Sequence, residues 1–539
     1  MNYINNSYDA IQVNNSYILI LQTHSMRSPS LLLLLLFSLN AFAQLKSTSI
    51  TYPEAVFTDT ARMTKIRRAL PVLDRMYKKY ATAMHAPGFV YGVMVDGQLL
   101  ASGGTGYANI DQKILATPQS AFRIASMTKS FTAMAILKLR DAGKLRLDDP
   151  VSRYVPGFKK QHFPTADAPV VIIRHLLTHA AGLPEDNPWG DRQLAMSDAQ
   201  LVDFINNGLS YSNNPAVTYE YSNLGFITLG YIIRKVSGKP YQQYINENIL
   251  KPLGMTHTYW DYGQVPPAQL AHGYRWLEEQ WVEQPMLHDG AGGAMGGLIT
   301  TMEDFGKYMA FYQSAWPASS APDKGPVKRS SLREIQYPSN LIGQNAQYKY
   351  PSGRACSLMA AYGYGIRWSK DCENRVTVGH SGGLPGFGSN WAILPDYGIG
   401  LACFANVTYA PTSPIVIRML DTLATLADLK PRQLRPSSVL NERKDQLVEF
   451  LPSWNEAEAS GIFADNFFLD YFTSSLRKEA TTLFEQAGKI VRVGELVPQN
   501  GLRGSFLLEG EKKNLEVSFT LTPDQVPRIQ AYYIREKKK

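Results

Sequence analysis

Cysteine is scarce in this chain of 539 residues, which contains three: Cys356, Cys372 and Cys403. No Cys–His spacing is typical of a zinc site, so no metal centre is expected. An odd number of cysteines in an oxidising compartment leaves at least one free thiol. Cys356 and Cys372 flank the segment SLMAAYGYGIRWSKD and could form a disulfide bond.

Long basic runs are also lacking. The formal net charge is +8, but no run of lysine and arginine occurs except in the terminal REKKK, and no basic stripe alternates with aromatic residues. Proteins that bind nucleic acid use such a stripe to neutralise phosphates. Nucleic acid is therefore not expected as a partner.

No apolar run is long enough to span a bilayer, which takes about 20 residues. The run from Leu31 to Leu39 follows Met26 and a single arginine, and it precedes Ala41-Phe42-Ala43. This order is typical of a secretory signal cleaved before Gln44. We assign residues 1–43 to the signal region, with Met26 as the expected start, and predict a periplasmic or secreted bacterial protein. The residue directly after the expected cleavage site is Gln44 and not cysteine, so no lipoprotein anchor to the membrane is expected after cleavage.

The composition is otherwise that of a globular protein, with 45% hydrophobic and 19% charged residues. An amphipathic helix over residues 69–84 precedes two strands joined at Asp96-Gly97, a typical hairpin turn pair. A long apolar helical pattern covers residues 122–139, and residues 140–310 are mostly helical segments and loops. Strand patterns return between residues 362 and 407, and a last helix covers 413–429. This order predicts a mixed α/β (α+β) domain with an antiparallel sheet.

The segment KPRQLRPSS, rich in proline and arginine, is typical of a linker. We therefore predict a main domain over residues 44–430, a linker over 431–440 and a small α+β domain over 441–539. The small domain should contain one aromatic-faced helix and four short strands, and it resembles the nuclear-transport-factor-2-like (NTF2-like) type. The aromatic residues expected on that helix are Phe463, Phe467, Phe468, Tyr471 and Phe472.

The segment FRIASMTKSFTAMAILKL contains Ser126 and Lys129. Residues at i and i+3 share one face of a helix, so the hydroxyl and the amine can meet. A serine needs a base to become a nucleophile, and a lysine kept neutral by burial can supply one. The same spacing recurs at Ser475 and Lys478, in a polar stretch where a structural explanation is preferred. The apolar surroundings of Ser126 favour chemistry there, against the alternative of a surface lysine.

The tripeptide Tyr-Ser-Asn occurs twice, beginning at Tyr211 and at Tyr221. The first copy is followed by Asn-Pro, which indicates a turn. The second copy, which ends at Asn223, leads directly into the apolar helix pattern LGFITLGYIIRKVSG. A motif at the start of a buried helix is held rigidly, so Tyr221 is the expected functional residue and Tyr211 is expected at the surface.

A third motif follows a β-branched strand in VTVGHSGGLPGF, where His380, Ser381, Gly382 and Gly383 occur in succession. Glycines at a strand end let another chain approach the backbone closely. Together, Ser126-x-x-Lys129, Tyr221-x-Asn223 and His380-Ser381-Gly382 resemble, in order, the three motifs of the penicillin-recognising serine hydrolases. The similarity is to the branch with class C β-lactamases, D-Ala-D-Ala carboxypeptidases and esterases, and it covers residues 62–426.

This resemblance implies a β-lactamase/transpeptidase-like fold and an acyl-enzyme at Ser126. Lys129 and Tyr221 would share the proton transfers, while Asn223 would hold Lys129 and the substrate amide. The N–H groups of Ser126 and Gly383 would bind the oxyanion. Ser381 and His380 would steer a substrate carboxylate, and Gly382 is a further expected substrate-binding residue. The expected substrate is a small molecule or a short peptide, with no cofactor.

One position departs from the class C pattern, because those enzymes typically have lysine where this chain has His380. Histidine there is similar to the carboxypeptidase and esterase members, which lowers the expectation of efficient β-lactam hydrolysis. The alternative function is a sensor that binds β-lactams or peptides without turnover. The oligomeric state stays open.

His175 and His179 lie at i and i+4 in HLLTH, a spacing that metalloproteases use. The glutamate of that motif is missing, and the segment IIRHLLTHAAGLP is similar to a structural part of the serine-hydrolase pattern. Metal binding is therefore not expected at these two histidines.

Overall fold

The computed structural model describes residues 50–538. The predicted signal over residues 1–43 lies outside the described residues. Among residues 50–538, no helix combines the length and the apolar character needed to cross a membrane.

Helices and strands occur along the whole described chain, in runs of helices and runs of strands. The helices are α1 (Arg62–Ala83), α2 (Lys129–Asp141), α3 (Ile173–Leu177), α4 (Asn187–Gly190), α5 (Asp198–Asn206), α6 (Asn223–Ser237), α7 (Tyr241–Ile245), α8 (Met302–Gln313), α9 (Arg329–Ile335), α10 (Thr412–Leu426), α11 (Ser438–Phe450), α12 (Phe467–Asp470) and α13 (Thr473–Ala487). The first fourteen strands are β1 (Gly88–Val95), β2 (Gln98–Asn109), β3 (Ile114–Leu115), β4 (Phe122–Arg123), β5 (Thr258–Tyr259), β6 (Tyr274–Leu277), β7 (Gln280–Glu283), β8 (Ile299–Thr300), β9 (Asn340–Asn345), β10 (Leu358–Tyr362), β11 (Arg367–Asp371), β12 (Val376–Leu384), β13 (Phe387–Leu394) and β14 (Ile399–Ala405). The last five are β15 (Ile490–Val493), β16 (Val497–Asn500), β17 (Arg503–Gly510), β18 (Asn514–Leu521) and β19 (Ile529–Lys537).

A nine-stranded sheet forms the centre of the main unit, in the order β3-β2-β1-β14-β13-β12-β11-β10-β9. Every neighbouring pair is antiparallel. The first strand, β1, pairs with β14, so residues that are far apart in sequence lie side by side in the sheet. The predicted class, an antiparallel sheet flanked by helices, is confirmed.

The two faces of this sheet contribute to different hydrophobic cores. Trp391 and Ala392 are neighbours on β13, so their side chains point to opposite faces. Ala392 belongs to the core formed with α1 and α10. Trp391 belongs to the larger core that includes α2, α6 and α8. The predicted site residues lie on the side of the larger core, where helices approach β12.

The predicted helix over residues 122–139 is shorter in the structure. Phe122 and Arg123 form strand β4, which pairs with β8, and α2 begins only at Lys129. The apolar pattern is real, since nearly every residue of this stretch is buried. It reflects burial of a strand, a turn and a helix in one core, and periodicity alone does not separate them.

The C-terminal unit has its own hydrophobic core, drawn from residues 439–534. Its sheet has the order β15-β17-β18-β19, with β16 also paired to β17, so five strands are present where four were predicted. Helix α11 begins at Ser438, inside the predicted linker, because the Ser437 hydroxyl accepts a hydrogen bond from the backbone N–H of Leu440 and caps the helix. The NTF2-like resemblance stays a prediction.

The predicted aromatic helix of the C-terminal unit is not continuous. Phe463 lies outside any helix and forms a bridge with Ile529, while Phe467 begins the short α12. The aromatic rings still pack together, with Phe463 and Phe467 centroids 4.7 Å apart. Packing of aromatic rings, rather than helical periodicity, accounts for their spacing.

Cys356 and Cys372 form a disulfide bond, and Cys403 is a buried free thiol. Cys356 precedes β10 and Cys372 follows β11. The bond therefore joins the two strands at the end opposite to their connecting turn. It agrees with the pairing that the sequence leaves open.

Candidate active site

Ser126 lies in a turn held by neighbouring strands. The preceding residue, Ala125, has a φ of 49°, a left-handed conformation that costs a non-glycine residue on the order of 1 kcal/mol. The N–H of Ile124 donates to the carbonyl of Leu298 at 3.0 Å, and the Ser389 hydroxyl donates to the Ile124 carbonyl at 2.7 Å. These contacts hold the turn that points Ser126 into a cavity at the start of α2.

Lys129 is fully buried below Ser126. Its Nζ lies 3.1 Å from the Ser126 hydroxyl, 2.6 Å from Oδ1 of Asn223 and 2.8 Å from the Met295 carbonyl. Burial lowers its pKa from the ordinary value to about 7, and the negative charges of Asp191 and Asp186 oppose that shift in part. A neutral amine is therefore accessible near neutral pH, with Ser126 within hydrogen-bonding distance.

The position of Asn223 depends on the start of α6. Its backbone N–H donates to Oδ1 of Asp186 at 2.6 Å, and its Nδ2 donates to Oδ1 of Asn187 at 3.1 Å. Because Nδ2 is used in this way, Oδ1 faces Lys129. Gly190 lies against the Asn223 side chain, where a Cβ would come within 2.7 Å of Cβ of Asn223.

Tyr221 lies beside this pair, with its ring centroid 5.0 Å from Nζ of Lys129. Burial raises the pKa of its phenol well above the ordinary range, although a hydrogen bond with Ser126 opposes this. The phenol is therefore protonated at neutral pH. In this state Tyr221 is suited to pass a proton on rather than to act as a free phenolate base.

His380 is buried on β12 and held by two neighbours. Its Nδ1 donates to the Ser381 carbonyl at 2.6 Å, so its Nε2 accepts from the Tyr362 hydroxyl at 2.8 Å. Burial and the charges of Arg367 and Lys129 lower its pKa well below the ordinary value. His380 is therefore neutral and supplies no positive charge to the site.

Gly382 and Gly383 bring β12 against the turn of Ser126. A Cβ on Gly382 would overlap the Ile124 carbonyl and the Ser389 hydroxyl, so only glycine fits there without a shift. Gly383 lines the cavity above Ser126. The backbone of β12 therefore lies close to the predicted nucleophile, as an oxyanion site requires.

The cavity above Ser126 has a volume of about 270 Å³. It is lined by Ser126, Glu185, Asn187, Asp191, Tyr219, Tyr221, Arg367, His380, Ser381, Gly383 and Tyr409. Lys129 and Asn223 lie buried beneath Ser126, and Gly382 packs against its turn. All eight predicted site residues therefore meet in one place, while a larger cavity of about 540 Å³ beside α9 contains none of them.

A family model described as Beta-lactamase matches residues 73–426, about two thirds of the chain. The chain belongs to the β-lactamase family. In this family of serine hydrolases, the curated relatives include Protein flp of Staphylococcus aureus, 29% identical over 364 residues that cover 67% of each chain. Another is Beta-lactamase-like protein 4 of Dictyostelium discoideum, 27% identical over 427 residues that cover 76% of this chain and 72% of that protein.

Solved structures of this β-lactamase-like fold are also similar. The octameric penicillin-binding protein homologue from Pyrococcus abyssi is 23% identical with a TM-score of 0.55, covering 87% of this chain and 90% of its own. The D-amino acid amidase from Ochrobactrum anthropi SV3, complexed with L-phenylalanine amide, is 23% identical with a TM-score of 0.52. That alignment covers 67% of this chain and 99% of the amidase. At this identity the likeness concerns the fold.

Sequence reasoning missed Arg367 and Asp191, which also line the cavity. Arg367 begins β11, and its guanidinium carbon lies 5.9 Å from the centre of the Tyr221 ring. Asp191 follows α4 and accepts a hydrogen bond from the Tyr409 hydroxyl at 3.1 Å. Tertiary folding brings each of them to the cavity. Neither belongs to a local sequence motif that could have indicated it.

The second copies of the Ser-x-x-Lys and Tyr-Ser-Asn motifs do not line the cavity of Ser126. Ser475 and Lys478, which repeat the Ser-x-x-Lys spacing, are both exposed on α13. Tyr211 is half buried rather than at the surface as expected, with its ring 4.7 Å from that of Phe163. It lies outside the set of residues that line the cavity of Ser126.

His179 is buried against Tyr221, with ring centroids 4.3 Å apart. Its Nδ1 accepts from the N–H of Ser222 at 3.1 Å, which leaves the proton on Nε2. Among residues 50–538, no group of three or more His, Cys, Asp or Glu side chains is arranged to hold a metal ion. His179 therefore packs the ring of Tyr221 and supports the start of α6.

The close contact at Gly382 predicts a sensitive position. Gly382→Ala should push β12 away from the turn of Ser126, lowering stability by about 1–3 kcal/mol and reducing hydrolysis of p-nitrophenyl acetate. Thermal unfolding and steady-state kinetics measure the two effects. Gly306→Ala in α8 is the matched control, since the nearest atom outside its own helix backbone, in the Leu99 side chain, would lie 3.4 Å from the new Cβ. Equal behaviour of the two variants would contradict the packing argument.

Proposed function

We propose that this protein is an exported serine hydrolase that forms an acyl-enzyme at Ser126 and acts on small peptide, ester or amide substrates. The observation that carries the proposal is the contact of 3.1 Å between the Ser126 hydroxyl and the buried amine of Lys129. An exposed lysine would stay protonated, whereas burial of this one makes the neutral form accessible.

In the acylation step, neutral Lys129 accepts the proton of the Ser126 hydroxyl while Oγ attacks the substrate carbonyl. Negative charge develops on the carbonyl oxygen, and the backbone N–H groups of Ser126 and Gly383 are the proposed donors to it. Tyr221 donates its phenolic proton to the leaving group and recovers one from the Lys129 ammonium. The leaving group departs protonated, and the acyl group remains on Oγ.

Deacylation reverses the same transfers with water as the nucleophile. Water gives a proton to the Lys129–Tyr221 pair and attacks the ester carbon, and the Ser126 oxygen is protonated as it leaves. Asn223 keeps Lys129 in place through its contact of 2.6 Å. The proposal requires no metal or organic cofactor.

The positively charged side of the cavity suits a substrate carboxylate. His380 is neutral, so Arg367 supplies the positive charge there, with Ser381 beside it. No carboxylate of residues 50–538 lies within ion-pair distance of the Arg367 guanidinium in this structure. The volume of about 270 Å³ favours small substrates.

Export is part of the proposal and has independent support. The bond between Cys356 and Cys372 is of a kind that persists in oxidising compartments such as the bacterial periplasm. The signal expected over residues 1–43 would direct the chain there.

Replacing the nucleophile tests the proposal directly. Ser126→Ala should abolish hydrolysis of p-nitrophenyl acetate, because no oxygen remains to take the acyl group. Release of p-nitrophenol measures the rate, and the background without protein is subtracted. Equal rates in variant and wild type would refute the proposal that the protein is a hydrolase acting through Ser126. A stoichiometric burst by the wild type without turnover would instead favour the binding sensor.

The two Tyr-Ser-Asn copies offer a matched pair of variants. Tyr221→Phe should lower kcat/KM at least about 100-fold, since a proton relay contributes about that much. Tyr211→Phe should leave it nearly unchanged, because the Tyr211 hydroxyl is buried without a hydrogen-bond partner among the described residues. Comparable losses in both variants would remove the reason for assigning the proton transfer to Tyr221.

The pH dependence follows from Lys129. Its folded-state pKa is lowered to about 7, so the neutral base is lost as pH falls below that value. Acylation measured as kcat/KM for a neutral ester should rise with pH through a midpoint near that pKa. His380→Gln should keep the midpoint, since burial already holds His380 neutral. A rate that falls over this range would contradict the role of Lys129.

A further inference from the structure

One wall of the cavity of Ser126 carries unpaired negative charge. Glu185, Asn187 and Asp191 come from a single stretch around α4, and we call them the 185–191 wall. Asp191 is 3% exposed, yet no lysine, arginine or histidine nitrogen of residues 50–538 forms an ion pair with it. Its hydrogen bond comes from the neutral hydroxyl of Tyr409.

A buried carboxylate without a direct ion-pair partner is costly, even though the nearby charge of Lys129 offsets part of the desolvation. Desolvation raises the pKa of Asp191 to about 6, so the group is still mostly ionised at neutral pH. A positive charge placed beside it would recover part of that desolvation cost. The cavity is the open side from which such a charge can arrive.

Lys129 does not fill this role. Its Nζ already contacts three acceptors, the Ser126 hydroxyl, Asn223 and the Met295 carbonyl. Lys129 therefore acts on Asp191 through its charge, which lowers the pKa of that carboxyl, and forms no hydrogen bond or ion pair with it among residues 50–538. The carboxylate therefore remains available to a ligand that enters the cavity.

We propose that Asp191 receives a free ammonium group of the substrate, so that the enzyme favours amino-acyl amides, amino-acyl esters and short peptides with an unblocked amino terminus. The proposal rests on the function proposed above and names its substrate class. Arg367, which lines the same cavity, would take the carboxylate of a substrate that has one. A short unblocked peptide carries both groups.

Competition against p-nitrophenyl acetate hydrolysis tests this proposal whether or not the competitor is cleaved. The competitors are alaninamide and N-acetylalaninamide, each in both configurations. Wild-type protein should bind the free amine more tightly than its acetylated partner. Asp191→Asn should reduce that preference about tenfold or more, in line with a charged hydrogen bond. Asp203→Asn, the same change on the exposed face of α5, should keep the wild-type preference.

The ratio of the two inhibition constants separates specificity from catalysis. If Asp191→Asn acted only through Lys129, the inhibition constants of both competitors would change alike. Their ratio would then stay at the wild-type value, which would overturn the proposal. A wild-type preference for the acetylated compound, or no competition by either, would also overturn it, and this comparison needs no variant. If Ser126→Ala hydrolyses p-nitrophenyl acetate as fast as wild type, the serine-hydrolase function fails instead.

Discussion

Burial of the Lys129 amine is the constraint on which the site depends. A fully buried lysine is tolerated because three oxygen acceptors surround Nζ within 3.1 Å. The acceptors come from the turn of Ser126, the start of α6 and the helical turn at Met295. Each of these segments must be in place before the amine can be desolvated without great cost. The geometry of the site is thus tied to the packing of the larger core.

The chain segments around this amine are fixed in position by contacts with other segments. Asp186 accepts the N–H groups of Asn223 and Leu224, and so fixes the start of α6 beneath the cavity. His179 supports the same segment from the other side, through its hydrogen bond from Ser222. On β12, the absence of a side chain at Gly382 allows the strand to contact the turn of Ser126. A displacement of any one of these segments would separate hydroxyl, amine and phenol.

The sequence allowed the motif residues to be predicted because each motif is local. Ser126 and Lys129 are three residues apart, and Tyr221 and Asn223 stand at the start of one apolar helix pattern. Arg367 and Asp191 could not be found in this way, since a lone charged residue carries no periodicity or spacing. The pattern over residues 122–139 predicts one helix because apolar residues in a buried strand and in a helix look alike over a short range. Its positive φ at Ala125 depends on contacts with Leu298 and Ser389, which are distant in sequence.

The disulfide bond restrains two strands of the sheet that carries one side of the cavity. Cys356 and Cys372 close one end of the β10–β11 pair, while Arg367 and Tyr362 stand at the other end, beside His380. Until the thiols are oxidised, this sheet edge lacks its covalent tie. If the chain is exported as proposed, oxidation of this pair would add that tie after synthesis, at the strand ends that lie away from the cavity.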